Sequence, residues 1–185
     1  MSPRIAAGRA KGRRLAAPAG ATRPTSDRAR EGLFNSLGSL LDFDGARILD
    51  LFAGTGAVGL EALSRGAAEA VFVESDRAAL EVLRRNVHDV GLDGAHVVKR
   101  TVAAFLAQAP ERPFDMVFAD PPYALADDVV AEMLATLAGK GWLADGAVVV
   151  VERGARGPGI RWPDGIEALH ERRYGEGVLW YGRRR

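Results

Sequence analysis

The chain predicts a doubly wound α/β fold: a mostly parallel sheet of seven strands with helices on both faces, extended at its N-terminus by a small basic segment. Three observations carry this. From residue 46 onward, short apolar runs alternate with stretches of helical period, the pattern of a parallel sheet with crossover helices. The stretch DLFAGTGAVGLE, residues 50–61, places glycines at 54, 56 and 59 between an apolar run and a helical one. That is the G-x-G-x-x-G spacing of nucleotide-binding turns. The tail, GIEALHERRYGEGVLWYGRR, reads as two strands around Gly175-Glu176-Gly177, a hairpin at one sheet edge.

The elements follow in order. Residues 1–22 are basic and rich in Gly, Ala and Pro. They read either as a disordered arm or as a small hairpin anchored by Ile5 and Leu15. In RPTSDRAREGLFNSLGSLLD, Thr25 or Ser26 suits an N-cap, and Leu33, Phe34, Leu37, Leu40 and Leu41 recur at helical spacing. A helix is expected from 26 to about 41. ARILDLF, AEAVFVES, AHVVKR, FDMVFAD and AVVVVER read as strands. AVGLEALSRG, DRAALEVLRRNVHDVG, TVAAFLAQA and LADDVVAEMLATLAG read as the helices between them, with Gly66 and Gly91 as stops. Right-handed crossovers make such a sheet doubly wound. The expected division is an extension with its helix over 1–42 and the sheet domain over 43–185.

The 185 residues suit one domain, and 48% hydrophobic with 26% charged residues is the composition of a soluble globular chain. The chain has no cysteine, which excludes a disulfide framework and thiolate metal sites. His88, His96 and His170 are scattered without ligand spacing, so no metal is expected. No apolar run has signal-peptide or bilayer-spanning length, and a cytoplasmic protein is expected. The net charge of +1 hides an asymmetry. Residues 1–30 carry eight Arg or Lys against one acid, residues 31–152 carry nine against nineteen, and residues 153–185 carry eight arginines against four acids. An acidic body with basic ends suggests a polyanionic partner met by the ends. Solvated termini are the plainer alternative.

The glycine turn falls at the carboxyl end of the first strand, where open parallel sheets bind ligands. Glu74 ends the second strand, twenty residues after Gly54, where an acid would hold ribose hydroxyls. That suits a nicotinamide dinucleotide and S-adenosylmethionine alike. Asp50 separates them. A carboxylate beside a pyrophosphate is repulsive at short range, whereas S-adenosylmethionine carries an ammonium and a sulfonium. The alternatives are a loop-capping role for Asp50 and a helix-start cluster at Glu74, Ser75 and Asp76, with Asp76 as the N-cap.

Asp120-Pro121-Pro122-Tyr123 follows the strand FDMVFA, again at a strand's carboxyl end. Two prolines stiffen the backbone and remove two N–H donors. What remains is rich in acceptors and suits an amino group with two N–H donors. The exocyclic amine of a nucleobase is a poor nucleophile, because its lone pair is delocalised into the ring. Acceptors for both its hydrogens leave that lone pair available to attack a methyl group. Tyr123 offers a ring for stacking. The plainer alternative is a stiff turn with a half-buried tyrosine. Asp127 and Asp128 read as a helix start. Trp142, Trp162, Trp180, Tyr174 and Tyr181 read as core and hairpin packing.

DLFAGTGAVGLEALSRGA, then VESD, then DPPY resembles the class I S-adenosylmethionine-dependent methyltransferases that act on amino nitrogen. With GRAKGRRLAAP, RPTSDRAREGLFNSL and a terminal YGEGVLWYGRR, the whole chain closely resembles the bacterial 16S ribosomal RNA guanine-N2 methyltransferases of the RsmD type. RPTSDRAREGLFN is the most specific part. The resemblance implies a Rossmann-like fold with S-adenosylmethionine as cofactor. Asp50, Gly54 and Gly56 would line the methionine end and Glu74 the ribose, with Phe52, Thr55 and Ser75 beside them. Asp120, Pro121, Pro122 and Tyr123 would hold the target guanine amine. Arg23, Pro24 and Thr25 would cap the pocket. The adenine contact would come from Thr101 or from backbone atoms. The implied substrate is 16S rRNA in the assembled small subunit, acted on by a monomer without membrane or metal.

The DPPY motif does not by itself name the acceptor, since adenine-N6 methyltransferases use it too. Only residues 124–185 follow it, and they are needed to finish the sheet, which leaves no DNA recognition domain there. Arg4, Arg9, Lys11, Arg13 and Arg14 suit phosphate contacts on a structured RNA. Alternatively, these arginines pack over the aromatics of the C-terminal hairpin. The target base would be unpaired or flipped. From other classes, a nicotinamide oxidoreductase is disfavoured by Asp50 and DPPY, and a non-catalytic RNA-binding protein would need neither.

Overall fold

The computed structural model describes residues 2–18 and 27–185. The elements run α1 (Asp27–Leu37), β1 (Arg47–Leu51), α2 (Ala57–Ser64), β2 (Glu69–Glu74), α3 (Arg77–Val90), β3 (Ala95–Lys99), α4 (Val102–Leu106), β4 (Phe114–Ala119), α5 (Asp127–Gly139), β5 (Leu143–Gly154), β6 (Ile166–Tyr174) and β7 (Gly177–Arg184). The seven strands form one sheet in the order β3-β2-β1-β4-β5-β7-β6. The first five in that order pair in parallel, and β7 is antiparallel to both β5 and β6. The order reverses between β1 and β4, which opens a crevice at their carboxyl ends.

Alternation along the central strands explains the layers. Ile48, Met116, Phe118, Val148 and Val150 face α1, α2 and α3, which contribute Leu33, Phe34, Leu60, Leu63, Leu80 and Leu83. Leu49, Leu51, Val117, Val149 and Val151 face the other way, onto Val102 and Leu106 of α4 and Val130, Leu134 and Leu137 of α5. Strands buried on both faces read as near-continuous apolar runs, which is why VVVV at 148–151 is wholly buried. α1 ends at Leu37, short of the expected 41, in a turn closed by Gly38 N–H to the Phe34 carbonyl and Leu40 N–H to that of Leu37. The proposed caps Thr25 and Ser26 lie outside the described residues. Asp76 does cap α3, accepting the Ala79 N–H at 2.8 Å, and Gly91 ends that helix with φ 62°.

The start of the chain is a hairpin. Arg4 and Arg14 form an antiparallel bridge, and Ile5 N–H donates to the Arg13 carbonyl, Gly12 N–H to Ile5 and Leu15 N–H to Pro3. Ile5 and Leu15 are buried within the same core as Phe34 and the sheet; each contributes roughly 1.5–3 kcal/mol by burial. The hairpin lies on α2 and α3, not over the C-terminal hairpin. Buried Glu61 of α2 accepts the N–H groups of Ala6 (2.8 Å) and Ala7 (3.1 Å) and pairs with Arg65 at 2.9 Å. Ser64 Oγ accepts Ala10 N–H and donates to the Ala7 carbonyl. Gly8, with φ 81°, sits so close that a Cβ would fall 1.8 Å from the Ser64 carbonyl oxygen. Asn86 of α3 brackets residue 16, accepting its N–H at 2.7 Å and donating to its carbonyl at 3.0 Å.

Glu61→Ala leaves two hairpin N–H groups without their acceptor and removes Arg65's partner. It should lower unfolding free energy by about 2–4 kcal/mol in urea denaturation, and speed hydrogen exchange at Ala6 and Ala7. Unchanged exchange there would show that the hairpin does not depend on Glu61.

Candidate active site

The glycine turn leaves β1 through a strained residue. Phe52 has φ 58°, the one positive φ of a non-glycine residue among those described. A bulky side chain in that region costs on the order of 1–3 kcal/mol and marks sites held by their surroundings. Three contacts hold this one. Asp50 Oδ2, inside β1, accepts the Gly59 N–H at 3.0 Å. Glu74 Oε2, at the end of β2, accepts the Gly54 N–H at 2.8 Å. Asn86 Nδ2 donates to the Thr55 carbonyl at 2.9 Å.

The three glycines do different work. Gly54, with φ 55°, would place a Cβ no nearer than 3.9 Å to any heavy atom, so its side is open. A Cβ on Gly56 would fall 2.4 Å from Leu83, and one on Gly59 would fall 2.3 Å from Phe72. Those two allow α2 to pack on β2 and α3. Gly56 is also the N-cap of α2, with φ 78° and no side-chain cap. Asp50 is 2% exposed, and through Gly59 it supplies a carboxylate to the first turn of that helix. The loop-capping alternative therefore describes the Asp50 hydrogen bond in this structure.

Acidic side chains crowd the turn. Burial pushes Asp50 well above the usual carboxylate range; the Gly59 N–H opposes this, and the nearby Asp120 and Glu74 charges add to the rise. Glu74 also accepts Ser75 and Asp76 N–H groups, each at 2.8 Å, through Oε1. Next to the turn, a cavity of about 420 Å³ is lined by Phe52, Ser75, Thr101, Val102, Leu106 and Leu125 among others. It is largely apolar, as a flat heteroaromatic base requires. The expected residues Phe52, Ser75 and Thr101 meet there. Thr101 Oγ1 also caps α4 by accepting the Ala104 N–H at 3.2 Å. An open glycine edge, an apolar slot and clustered carboxylates fit a cationic, phosphate-free nucleoside such as S-adenosylmethionine and oppose a pyrophosphate.

β4 pairs directly with β1, so the DPPY loop emerges beside the glycine turn. Asp120 N–H donates to the Leu51 carbonyl at 3.4 Å. Burial and the charge of Glu152 push Asp120 from its ordinary 3.8 to about 7, while Arg153 pulls it down. Pro121 is buried and Pro122 exposed. Tyr123 is 68% exposed, and its ring lies where a Cβ on Gly154 would come within 3.2 Å of it. Arg153, unforeseen from sequence, fixes the loop: it donates to the carbonyls of Pro122 (3.2 Å) and Leu125 (2.8 Å) and pairs with Asp127 at 2.9 Å. Its signal was faint, a charge closing a run of valines. Leu125 and Leu106 were missed because apolar residues near a site look like core.

Of the expected RNA contacts, Arg4, Lys11 and Arg14 are exposed on the hairpin. Arg9 donates to the Leu63 carbonyl at 3.3 Å, and Arg13 donates to those of Asp89 and Val90 at the end of α3, both at 2.9 Å. Those two are engaged in holding the hairpin. Arg23, Pro24 and Thr25 lie outside the described residues. Among the described residues there is no group of His, Cys, Asp or Glu able to hold a metal and no helix long and apolar enough to cross a membrane.

A sheet in this order, with a glycine turn after β1, an acid after β2 and DPPY after β4, defines a class I methyltransferase fold. The solved structure of the Escherichia coli methyltransferase yhhF superposes with a TM-score of 0.87 at 36% identity, covering 100% of this chain and 98% of that one. The model of the family described as conserved hypothetical protein 95 matches residues 3–183. Ribosomal RNA small subunit methyltransferase D of Escherichia coli is 43% identical over 150 residues, 80% of this chain and 73% of the relative. The protein of the same name from Haemophilus influenzae is 35% identical over 153 residues, 80% and 77% of the two chains. The chain belongs to this family, that of the RsmD-type methyltransferases.

The raised Asp120 carboxyl has a consequence for stability. A group whose folded pKa exceeds its unfolded value stabilises fully below the unfolded pKa and loses that contribution as pH rises through the folded one. For Asp120 the window runs from 3.8 to about 7. Asp120→Asn should therefore melt higher than the parent at pH 8 and lose that advantage at pH 4. An equal difference at both pH values would contradict the burial and Glu152 contributions.

Proposed function

We propose that this protein transfers a methyl group from S-adenosylmethionine to the exocyclic N2 amine of a guanine in 16S rRNA, within the small ribosomal subunit. The observation that carries this is the junction of the two loops. The glycine turn and DPPY leave adjacent strands, and Asp120 N–H reaches the last carbonyl of β1. A cofactor on the first loop and an amine on the second would be neighbours, which is the proximity that methyl transfer needs. Bound S-adenosylmethionine supplies an electrophilic methyl on a sulfonium, and transfer forms the N–C bond, breaks the S–C bond and leaves S-adenosylhomocysteine.

The chain's own residues do the rest. Glu74 spends three acceptor sites on Gly54, Ser75 and Asp76. Ionised carboxylates offer about four, and the remaining one serves a ribose hydroxyl. The slot walled by Phe52, Val102, Leu106 and Leu125 takes the adenine. Asp50 holds the turn through the Gly59 N–H. Asp120 accepts an N–H of the amine, and its proton affinity near neutrality suits it to take the proton the nitrogen loses on methylation. Tyr123 stacks on the target ring. Arg153 fixes the loop carbonyls so that Asp120 and Tyr123 keep their places. Arg4, Lys11 and Arg14 meet rRNA phosphates, whose contacts position without reading sequence.

Tritiated methyl transfer tests the reading, with unmodified small subunits, naked 16S rRNA and duplex DNA as acceptors and nucleoside analysis of the product. Label in N2-methylguanosine from the ribosomal acceptors is expected; label in N6-methyladenine would overturn the guanine assignment. Asp120→Ala should abolish transfer while S-adenosylmethionine still binds in calorimetry. Equal loss of both would remove Asp120 from the target amine. Neutralising Arg4, Lys11 and Arg14 together to Gln should weaken subunit binding and lower its log–log salt slope by about two to three. An unchanged slope would take the hairpin off the RNA.

A further inference from the structure

We infer that Glu152 is the residue that selects guanine: its carboxylate accepts the N1–H of the target base while Asp120 accepts an N2–H. This rests on the guanine-N2 reading and adds a contact that neither the DPPY motif nor the glycine turn contains.

The placement comes from register. Ala119, the last residue of β4, pairs with Val151 of β5, so Asp120, the first residue beyond β4, adjoins Glu152 of β5. Phe118 and Val150, two positions earlier, share one core face. By the period of two, Glu152 lies on that same face, and Asp120 is held beside the sheet by its N–H to the Leu51 carbonyl. Neighbouring strands run about 4.8 Å apart, a separation that lets two carboxylates serve different donors on one edge of a base. The two side chains sense each other, since the Glu152 charge raises Asp120.

The surroundings are cleared for a ring. Gly154 and Gly177 pair across β5 and β7 at the same end of the sheet. A Cβ on Gly177 would fall 3.0 Å from Glu152 Oε1, and one on Gly154 would fall 3.2 Å from the Tyr123 ring. The missing side chains leave room for this carboxylate and this exposed aromatic side by side. Arg153 is turned to the carbonyls of Pro122 and Leu125 and to Asp127. The side chain next to Asp120 in register, Glu152, is an acceptor.

Chemistry then distinguishes the bases. The Watson–Crick edge of guanine offers adjacent donors, N1–H and the N2 amine. Adenine offers its N6 amine beside N1, which is an acceptor. Set with its amine at Asp120, adenine would turn the N1 lone pair toward the Glu152 carboxylate. Two acceptors facing each other repel, and the hydrogen bond that guanine would make there is lost. Asp120 and DPPY serve an amine on either base; Glu152 serves only the one with N1–H.

The experiment crosses one enzyme atom with one base atom. Small subunits are reconstituted with 16S rRNA ligated to carry either guanosine or 2-aminopurine riboside at the methylated position. 2-Aminopurine keeps the N2 amine and has an N1 acceptor. Single-turnover methyl transfer is measured for the parent and for Glu152→Gln, whose amide can accept from N1–H or donate to N1. The parent should prefer guanosine by at least about tenfold, and Glu152→Gln should narrow that preference to within about threefold. Any change in Asp120 titration caused by losing the Glu152 charge affects both acceptors and cancels in the ratio. Calorimetric binding of S-adenosylmethionine by the variant reports that it is folded. A ratio unchanged in Glu152→Gln, or a parent that does not discriminate, overturns the inference while leaving the guanine-N2 reading intact. A parent that forms no N2-methylguanosine on the guanosine subunit overturns the reading itself.

Discussion

The Asp50–Gly59 hydrogen bond is the constraint on which the site depends. A carboxylate inside a central strand is costly to bury. Here it is offset by the N–H of a helix that has no side-chain cap of its own. The bond ties β1 to the first turn of α2, so the chain between them must turn within residues 51–56. That forces Phe52 into its unfavourable φ and turns the open side of Gly54 outward. Glu74 then closes the turn from the next strand. The glycine loop is thus shaped by two acidic side chains reaching backbone N–H groups.

α2 works on two sides. Its N-terminus is held by Asp50, and Glu61 and Ser64 farther along it hold the N-terminal hairpin. Asn86 of α3 completes the link, bonding Ala16 of the hairpin and Thr55 of the turn with one amide. The basic hairpin is therefore built onto the cofactor loop. On the proposed reading, a base delivered by RNA resting on Arg4, Lys11 and Arg14 would be registered against the cofactor through these buried bonds.

Much of this was legible in the sequence, for identifiable reasons. The strands carry long apolar runs because both sheet faces are covered, and Gly175-Glu176-Gly177 marks the hairpin because such residues suit turns. Asp50, Glu74 and Asp120 stood out because each ends a strand or adjoins a glycine turn. What was not legible depends on pairing between distant segments. Nothing near Glu61 or Asn86 in sequence announces that their partners lie some 55 and 70 residues away. Gly56 and Gly59 belong to a binding motif, yet their Cβ positions are taken by Leu83 and Phe72. Arg13 had the composition of a phosphate ligand, but its geometry is that of a helix C-terminal cap.

The charge asymmetry takes on a sharper meaning in this geometry. The acids of the body are not spread evenly: Asp50, Glu74, Asp120 and Glu152 all stand at or near the carboxyl ends of four strands. An RNA backbone entering that crevice would be repelled. A base extended on its ribose would not, and a cationic cofactor would be drawn in. The basic hairpin lies on α2 and α3, outside the crevice, where phosphates can be met without approaching the carboxylates. On the proposed reading, attraction for the backbone and selection of the base would fall to separate surfaces. On that reading the acidic crevice would favour nucleotides turned out of their helix, since the uncharged ring could reach Asp120 without bringing its phosphates along.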